Sequence, residues 1–211
     1  MASIPTFSSL PDKPAVTPPA HLAHVVLQTA QLRVMQTFYE IFLGAHTVYS
    51  NDHLAFLTYD QEHHRIALAA LPGIVPRSEK SSGLNHIAFT FPSLTSLLTA
   101  YQQRKKHGMQ PTLCVNHGPT TSIYYRDPDG NTIETQVDGF EEPADATAFM
   151  ESEAFAKNPL GVEFVPEVWM EKLGEGVDER SLMVRDEDDA AGALDIERLV
   201  EKLKGGKVNG K

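Results

Sequence analysis

Apolar side chains recur along the middle of this chain in two periods, one of two residues and one of three to four. Residues 21–29 are β-branched and apolar, a strand pattern, and Thr29 can cap a helix after it. Leu32, Met35, Phe38, Tyr39, Phe42 and Leu43 then follow with helical spacing, and Gly44 supplies a stop. Short strand patterns occupy 45–50, 53–59 and 64–71, with plausible turns at Asn51-Asp52 and Asp60-Gln61-Glu62. The order then restarts. Residues 83–91 read as a strand, and Ser93 can cap a helix carrying Leu94, Leu97, Leu98 and Tyr101, which ends at Gly108. Strand patterns return at 111–117, 121–126 and 131–137, the last preceded by an Asp127-Pro128-Asp129-Gly130 turn.

Residues 20–80 and 83–140 therefore each read β-α-β-β-β, and a duplicated unit says more about fold than any single segment. The expected class is α+β: two paired βαβββ modules forming a cupped mixed sheet, helices outside. Three regions are expected: an N-terminal arm (1–19), the paired modules (20–140) and a C-terminal extension (141–211). The arm is proline-containing and extended. In the extension, helical patterns lie around Ala146–Ala156, after Pro166, and at 193–204, where Leu194, Ile196, Leu199, Val200 and Leu203 share a side. Residues 174–192 are acidic and read as mobile.

Strand parity brings chemistry into view. His24 and His86 hold the same place in the first strand of each module. His24, Val26 and Gln28 share one face, as do His86, Ala88 and Thr90, while Ile87, Phe89 and Phe91 lie opposite. Paired about a pseudo-two-fold, the modules bring the two imidazoles together. In the last strand Thr132, Glu134 and Gln136 share a face. A buried mid-strand carboxylate is costly alone, and two imidazoles and a metal would resolve that cost. Two His and one carboxylate on one side of an ion leave open positions, the arrangement of non-haem iron(II) oxygenases; Mn(II) and Zn(II) suit the same donors.

Composition excludes other classes. The 211 residues carry a formal charge of -10, which disfavours a nucleic-acid partner. Arg104-Lys105-Lys106-His107 reads as the solvated end of a helix. No apolar run suits a membrane span, the N-terminus lacks a secretory pattern, and the single cysteine, Cys114, fits a reducing compartment, so a cytoplasmic protein is expected. Cys114 lies in a strand pattern, with no helix N-terminus to activate it.

The run Val115-Asn116-His117, then Ile123-Tyr124, Asp127-Pro128-Asp129-Gly130 and Glu134, resembles the signature of type I extradiol ring-cleaving dioxygenases. These belong to the vicinal oxygen chelate superfamily, with glyoxalase I and bleomycin-resistance proteins. The resemblance covers roughly residues 20–140. It implies that His24, His86 and Glu134 hold iron(II), that Tyr124 hydrogen-bonds a bound catecholate, and that His117 is a second-sphere histidine. Segment 62–68 resembles the one carrying the acid–base histidine, which falls on His64. Adjacent strand residues face opposite ways, so only one of His63 and His64 reaches the cup. The resemblance departs in the longer stretch leading to His86.

The implied reaction is ring cleavage beside a vicinal diol, with an aromatic diol and dioxygen as substrates. Alternatives within the fold are a glyoxalase-like isomerase or lyase, or a non-catalytic small-molecule binder. The first module's last strand offers no carboxylate as a fourth ligand, which favours an open site. Phe56, Tyr59, Tyr125 and Phe140 are candidate lining for an aromatic-sized pocket. A homodimer is expected, since C2 pairs are the commonest assemblies.

Overall fold

The computed structural model describes residues 16–75, 77–78, 82–185 and 193–204. Most of the expected N-terminal arm, and residues 186–192 of the segment read as mobile, lie outside the described residues.

The first module runs β1 (Val25–Gln28), α1 (Leu32–Leu43), β2 (His46–Ser50), β3 (Leu54–Thr58) and β4 (Ile66–Ala69); the second runs β5 (His86–Thr90), α2 (Leu94–Lys106), β6 (Leu113–Asn116), β7 (Thr120–Arg126) and β8 (Thr132–Asp138). The expected duplication is present in connectivity as well as in order. Each module pairs its first strand parallel to its last, giving sheet orders β1-β4-β3-β2 and β5-β8-β7-β6. A parallel pair needs a long crossover, which the helix supplies in both.

Each helix fills the apolar face of its sheet. Leu32, Met35, Tyr39 and Phe42 of α1 and Leu94, Leu97, Leu98 and Tyr101 of α2 are buried. They join Leu27, Leu57, Ile66, Leu68, Ile87, Ile123, Ile133 and Val137 in one core that crosses both modules. Gly44, in the left-handed region at φ 62°, ends α1. The Ser93 hydroxyl caps α2 by accepting from Ser96 N–H. Thr29 does not cap α1. Gln31 holds the N-cap position, and the Thr29 hydroxyl accepts from Gln31 N–H instead, closing a tight turn before the helix.

A second expectation fails at Arg104, which is not solvated but 3% exposed. Its Nε donates to the Phe42 carbonyl at 2.8 Å, and its guanidinium lies 4.1 Å from the Phe42 ring centroid. The helix end is basic toward water only at Lys105, Lys106 and His107, whereas Arg104 turns inward to the other module.

The extension contributes α3 (Pro143–Met150), α4 (Glu153–Lys157), β9 (Val162–Glu163), α5 (Pro166–Gly174), α6 (Glu179–Met183) and α7 (Ile196–Lys204). Strand β9 adds to the β6 edge, antiparallel, making the second sheet five-stranded. Leu194 is buried against Leu113, Val115 and Tyr124, with Leu160, Leu199 and Leu203 packed alongside. Ile196 and Val200, read as part of the same stripe, stay exposed, so the docked face is narrower than the apolar pattern. Among the described residues, no helix is long and apolar enough to cross a membrane.

The modules are locked at the 127–130 turn. The buried Asp127 carboxylate accepts from Asp129 N–H, Asn131 N–H, the Asn131 side-chain amide and the Tyr39 hydroxyl. The last of these comes from the other module. Burial holds the Asp127 carboxyl above its ordinary value, against its hydrogen bonds. Replacing Asp127 with Ala strands several buried donors, and chemical denaturation should show a loss of about 3 kcal/mol. Tyr39→Phe removes one donor and should cost about 1 kcal/mol.

Candidate active site

The face of the second sheet opposite α2 is built by strand parity. Glu134 on β8 stands directly across from Tyr124 on β7, and His86 on β5 is in register with Thr132, one pleat from Glu134. These positions put three polar side chains on one face within bonding reach. His86 Nε2 lies 2.9 Å from Glu134 Oε2, the Tyr124 hydroxyl donates to Glu134 Oε1 at 3.0 Å, and His117 Nε2 lies 3.0 Å from Tyr124 Oη. The row is thus His86–Glu134–Tyr124–His117. It ends at a backbone carbonyl, 2.7 Å from His117 Nδ1 and belonging to Leu160.

Glu134 is 5% exposed. Burial alone would raise its carboxyl, but hydrogen bonds from His86, Ser122 and Tyr124 outweigh it and hold the group below its ordinary value. The carboxylate is therefore charged in a place where an isolated charge would be costly. His86 is raised, chiefly by its hydrogen bond to Glu134 and despite its own burial. His117 is lowered, because burial penalises its cation. Tyr124 is raised by burial and then by the neighbouring Glu134 charge, so its proton stays on at neutral pH.

The first module contributes a separate group. His24 falls one residue before β1 rather than within it, and its ring centroid is 4.3 Å from that of His64. His64 is also stacked on Phe56, at 4.9 Å. His63 points outward, 70% exposed at its side chain, and its Nδ1 lies 2.6 Å from His64 Nδ1. Of the two adjacent histidines, His64 is the one packed beside His24. Burial and the neighbouring His24 and His63 lower its pKa. Among the described residues, no three His, Cys, Asp or Glu side chains stand close enough to enclose an ion as placed. The structure brings His86 and Glu134 together and His24 and His64 together, on different modules.

Sequence reasoning missed the apolar row beside His24. Strand register aligns Val26, Ala67, Phe56 and Tyr49 across all four strands of the first sheet, and Val26 is 57% exposed. Parity on β3 and β4 puts Phe56 and Ala67 on this face, but a bulge between Thr47 and Tyr49 shifts β2, and no local period reveals that shift. Of the expected pocket aromatics only Phe56 lies in this row. Tyr125 belongs to the core, edge-on to Phe42 at 5.0 Å; Tyr59 meets Phe89, and Phe140 meets Phe149 in the extension. Burial raises the Cys114 thiol to about 12, so it is no nucleophile.

A duplicated βαβββ unit with an acidic–histidine row on one sheet face has relatives. The model of the Glyoxalase/Bleomycin resistance protein/Dioxygenase superfamily matches residues 21–135, and the chain belongs to that superfamily. Biphenyl-2,3-diol 1,2-dioxygenase 3 of Rhodococcus globerulus is 46% identical over 172 residues, covering 81% of this chain and 90% of that protein. Biphenyl-2,3-diol 1,2-dioxygenase 2 of the same organism is 44% identical over 155 residues, 73% and 82% of the two chains. Catechol-2,3-dioxygenase of Bacillus subtilis (strain 168) is 30% identical over 122 residues, 56% of this chain and 41% of that one.

The ion pair sets a direct expectation. In metal-free Glu134→Gln protein the His86 pKa should fall toward its ordinary value, since the carboxylate that raised it is gone. Proton NMR titration of the histidine ring signals measures it; an unchanged value would show the pair contributes nothing.

Proposed function

We propose that this chain is an extradiol ring-cleaving dioxygenase that opens an aromatic vicinal diol of the aryl-substituted catechol type. The observation that carries the reading is the hydrogen-bonded His86–Glu134–Tyr124–His117 row, built on the buried Glu134, in a chain 46% identical to a biphenyl-diol dioxygenase.

The donor set suits a hard-to-borderline divalent ion. Glu134 is a buried carboxylate with an imidazole against it, and a cation of charge two offsets its burial more fully than a single histidine. His24, His86 and Glu134 are the residues that would hold iron(II). When bound, iron(II) supplies Lewis acidity toward a vicinal diol and the one-electron chemistry that dioxygen requires. Manganese suits the same donors.

The remaining work falls to side chains. His64 keeps its Nδ1 against His63, which leaves Nε2 to take a proton from the diol and return it later. Its lowered pKa keeps the imidazole neutral and ready to accept at pH 7. Tyr124 Oη stands beside Glu134, where it can hydrogen-bond a diol oxygen. The Val26–Ala67–Phe56–Tyr49 row offers an apolar surface for the aryl ring, excluding water from the face that also carries His24.

Anaerobically iron(II)-loaded protein should consume dioxygen with 2,3-dihydroxybiphenyl and form a yellow ring-opened product. His86→Ala should abolish uptake, and Tyr124→Phe should lower kcat by about ten- to a hundredfold. Iron bound without oxygen uptake on any vicinal diol would defeat the reading.

A further inference from the structure

The row that begins at His86 does not end inside the duplicated modules. Its last hydrogen bond leaves them for the extension, where the Leu160 carbonyl lies 2.7 Å from His117 Nδ1. A carbonyl oxygen only accepts, so Nδ1 must carry a proton to make this bond. Burial disfavours the imidazolium, and a neutral ring with its proton on Nδ1 has a bare lone pair on Nε2. That lone pair faces Tyr124 Oη at 3.0 Å. The other tautomer would set the Nδ1 lone pair against the carbonyl oxygen and spend a Tyr124 lone pair on Nε2–H.

The carbonyl is itself held tightly. Gly161 N–H donates to Asn158 Oδ1 at 2.9 Å, and the Asn158 side-chain amide donates to the Gly161 carbonyl at 3.1 Å. This clamp brackets residues 158–161 into one turn. Gly161 has φ 93°, and a Cβ there would collide with the Asn116 carbonyl next to His117. Immediately afterwards β9 pairs with β6, Val162 opposite Asn116. From farther along the extension, Arg185 Nη1 donates to the His117 carbonyl at 2.8 Å. Ring and backbone of His117 are thus both gripped by residues beyond the duplicated unit.

We propose that the C-terminal extension is a working part of the centre: the Asn158–Gly161 turn positions the Leu160 carbonyl to hold His117 as its Nδ1–H tautomer, with a bare Nε2 aimed at Tyr124. In this state the single Tyr124 proton has two acceptors, Glu134 Oε1 and His117 Nε2, and serves one at a time, while a lone pair of Oη stays open to a diol hydroxyl. Asn158, Leu160 and Gly161 are positioning residues. The consequence for turnover rests on the dioxygenase reading; the tautomer does not.

Histidine-ring nitrogen–proton correlation NMR on the metal-free, 15N-labelled full chain reads the tautomer, with the His117 signals assigned by their loss in His117→Gln. Wild-type protein should show the proton on Nδ1. Asn158→Ala and Gly161→Ala should show Nε2–H appearing, and in the iron(II)-loaded enzyme kcat should fall about tenfold with KM little changed. Asn158→Asp keeps the acceptor for Gly161 N–H but loses the donor to the Gly161 carbonyl, so it should fall between Asn158→Ala and the wild type in both tautomer and kcat. A proton on Nε2 in the wild type overturns the proposal, and this spectrum decides even if a variant does not fold. Folded variants with an unchanged tautomer overturn it as well. If no diol is turned over but the tautomer shifts as stated, the dioxygenase reading fails and the positioning role stands.

Discussion

The fold hangs on a buried carboxylate at a turn. Asp127 closes the bend between β7 and β8 through the Asp129 and Asn131 amides, and in the same stroke accepts the Tyr39 hydroxyl from helix α1. A turn that sets the register of β8 also sets which way Glu134 points, because a one-residue slip would move it to the core face. The same carboxylate ties that register to the first module. Gln31 adds to the join by donating to Asp129 and to the Pro128 carbonyl. A burial that would be costly for a lone Asp is offset by a full set of donors, and the geometry of the centre follows from it.

Charge burial recurs as an organising device. Arg104 sits between Phe42, Phe91 and Tyr125, its Nε bonded to the Phe42 carbonyl and its cation spread over aromatic faces from both modules. Burial pulls its pKa down from a value so high that the group stays charged. On the opposite face of the second sheet Glu134 plays the complementary part, a buried anion with histidine and tyrosine donors. The sheet therefore separates a buried cation from the buried anion of the candidate site, one on each side.

The extension changes what the duplicated unit would be alone. It adds a strand to the β6 edge, covers Leu113, Val115 and Tyr124 with Leu194 and α7, and delivers a carbonyl to His117. An exposed sheet edge is closed and part of the face that carries Glu134 is covered. The first sheet's equivalent face remains open, with Val26 and Tyr49 exposed, so the cup has one sealed side and one accessible side.

The sequence by itself determined the two βαβββ modules, the faces on which His86 and Glu134 lie, and the caps at Ser93 and Gly44. These depend on local periods, two residues in a strand and 3.6 in a helix, which one stretch of chain displays without help. The 127–130 turn was legible for the same reason. Tertiary structure alone decided that Arg104 turns inward and that Tyr125 fills the core, and it packs His64, the residue the resemblance pointed to, beside His24. It also decided that Ile196 and Val200 stay in water while Leu199 and Leu203 dock, and that a carbonyl more than forty residues away meets His117. In each of these cases the outcome depends on which distant surface arrives, and no local period carries that information.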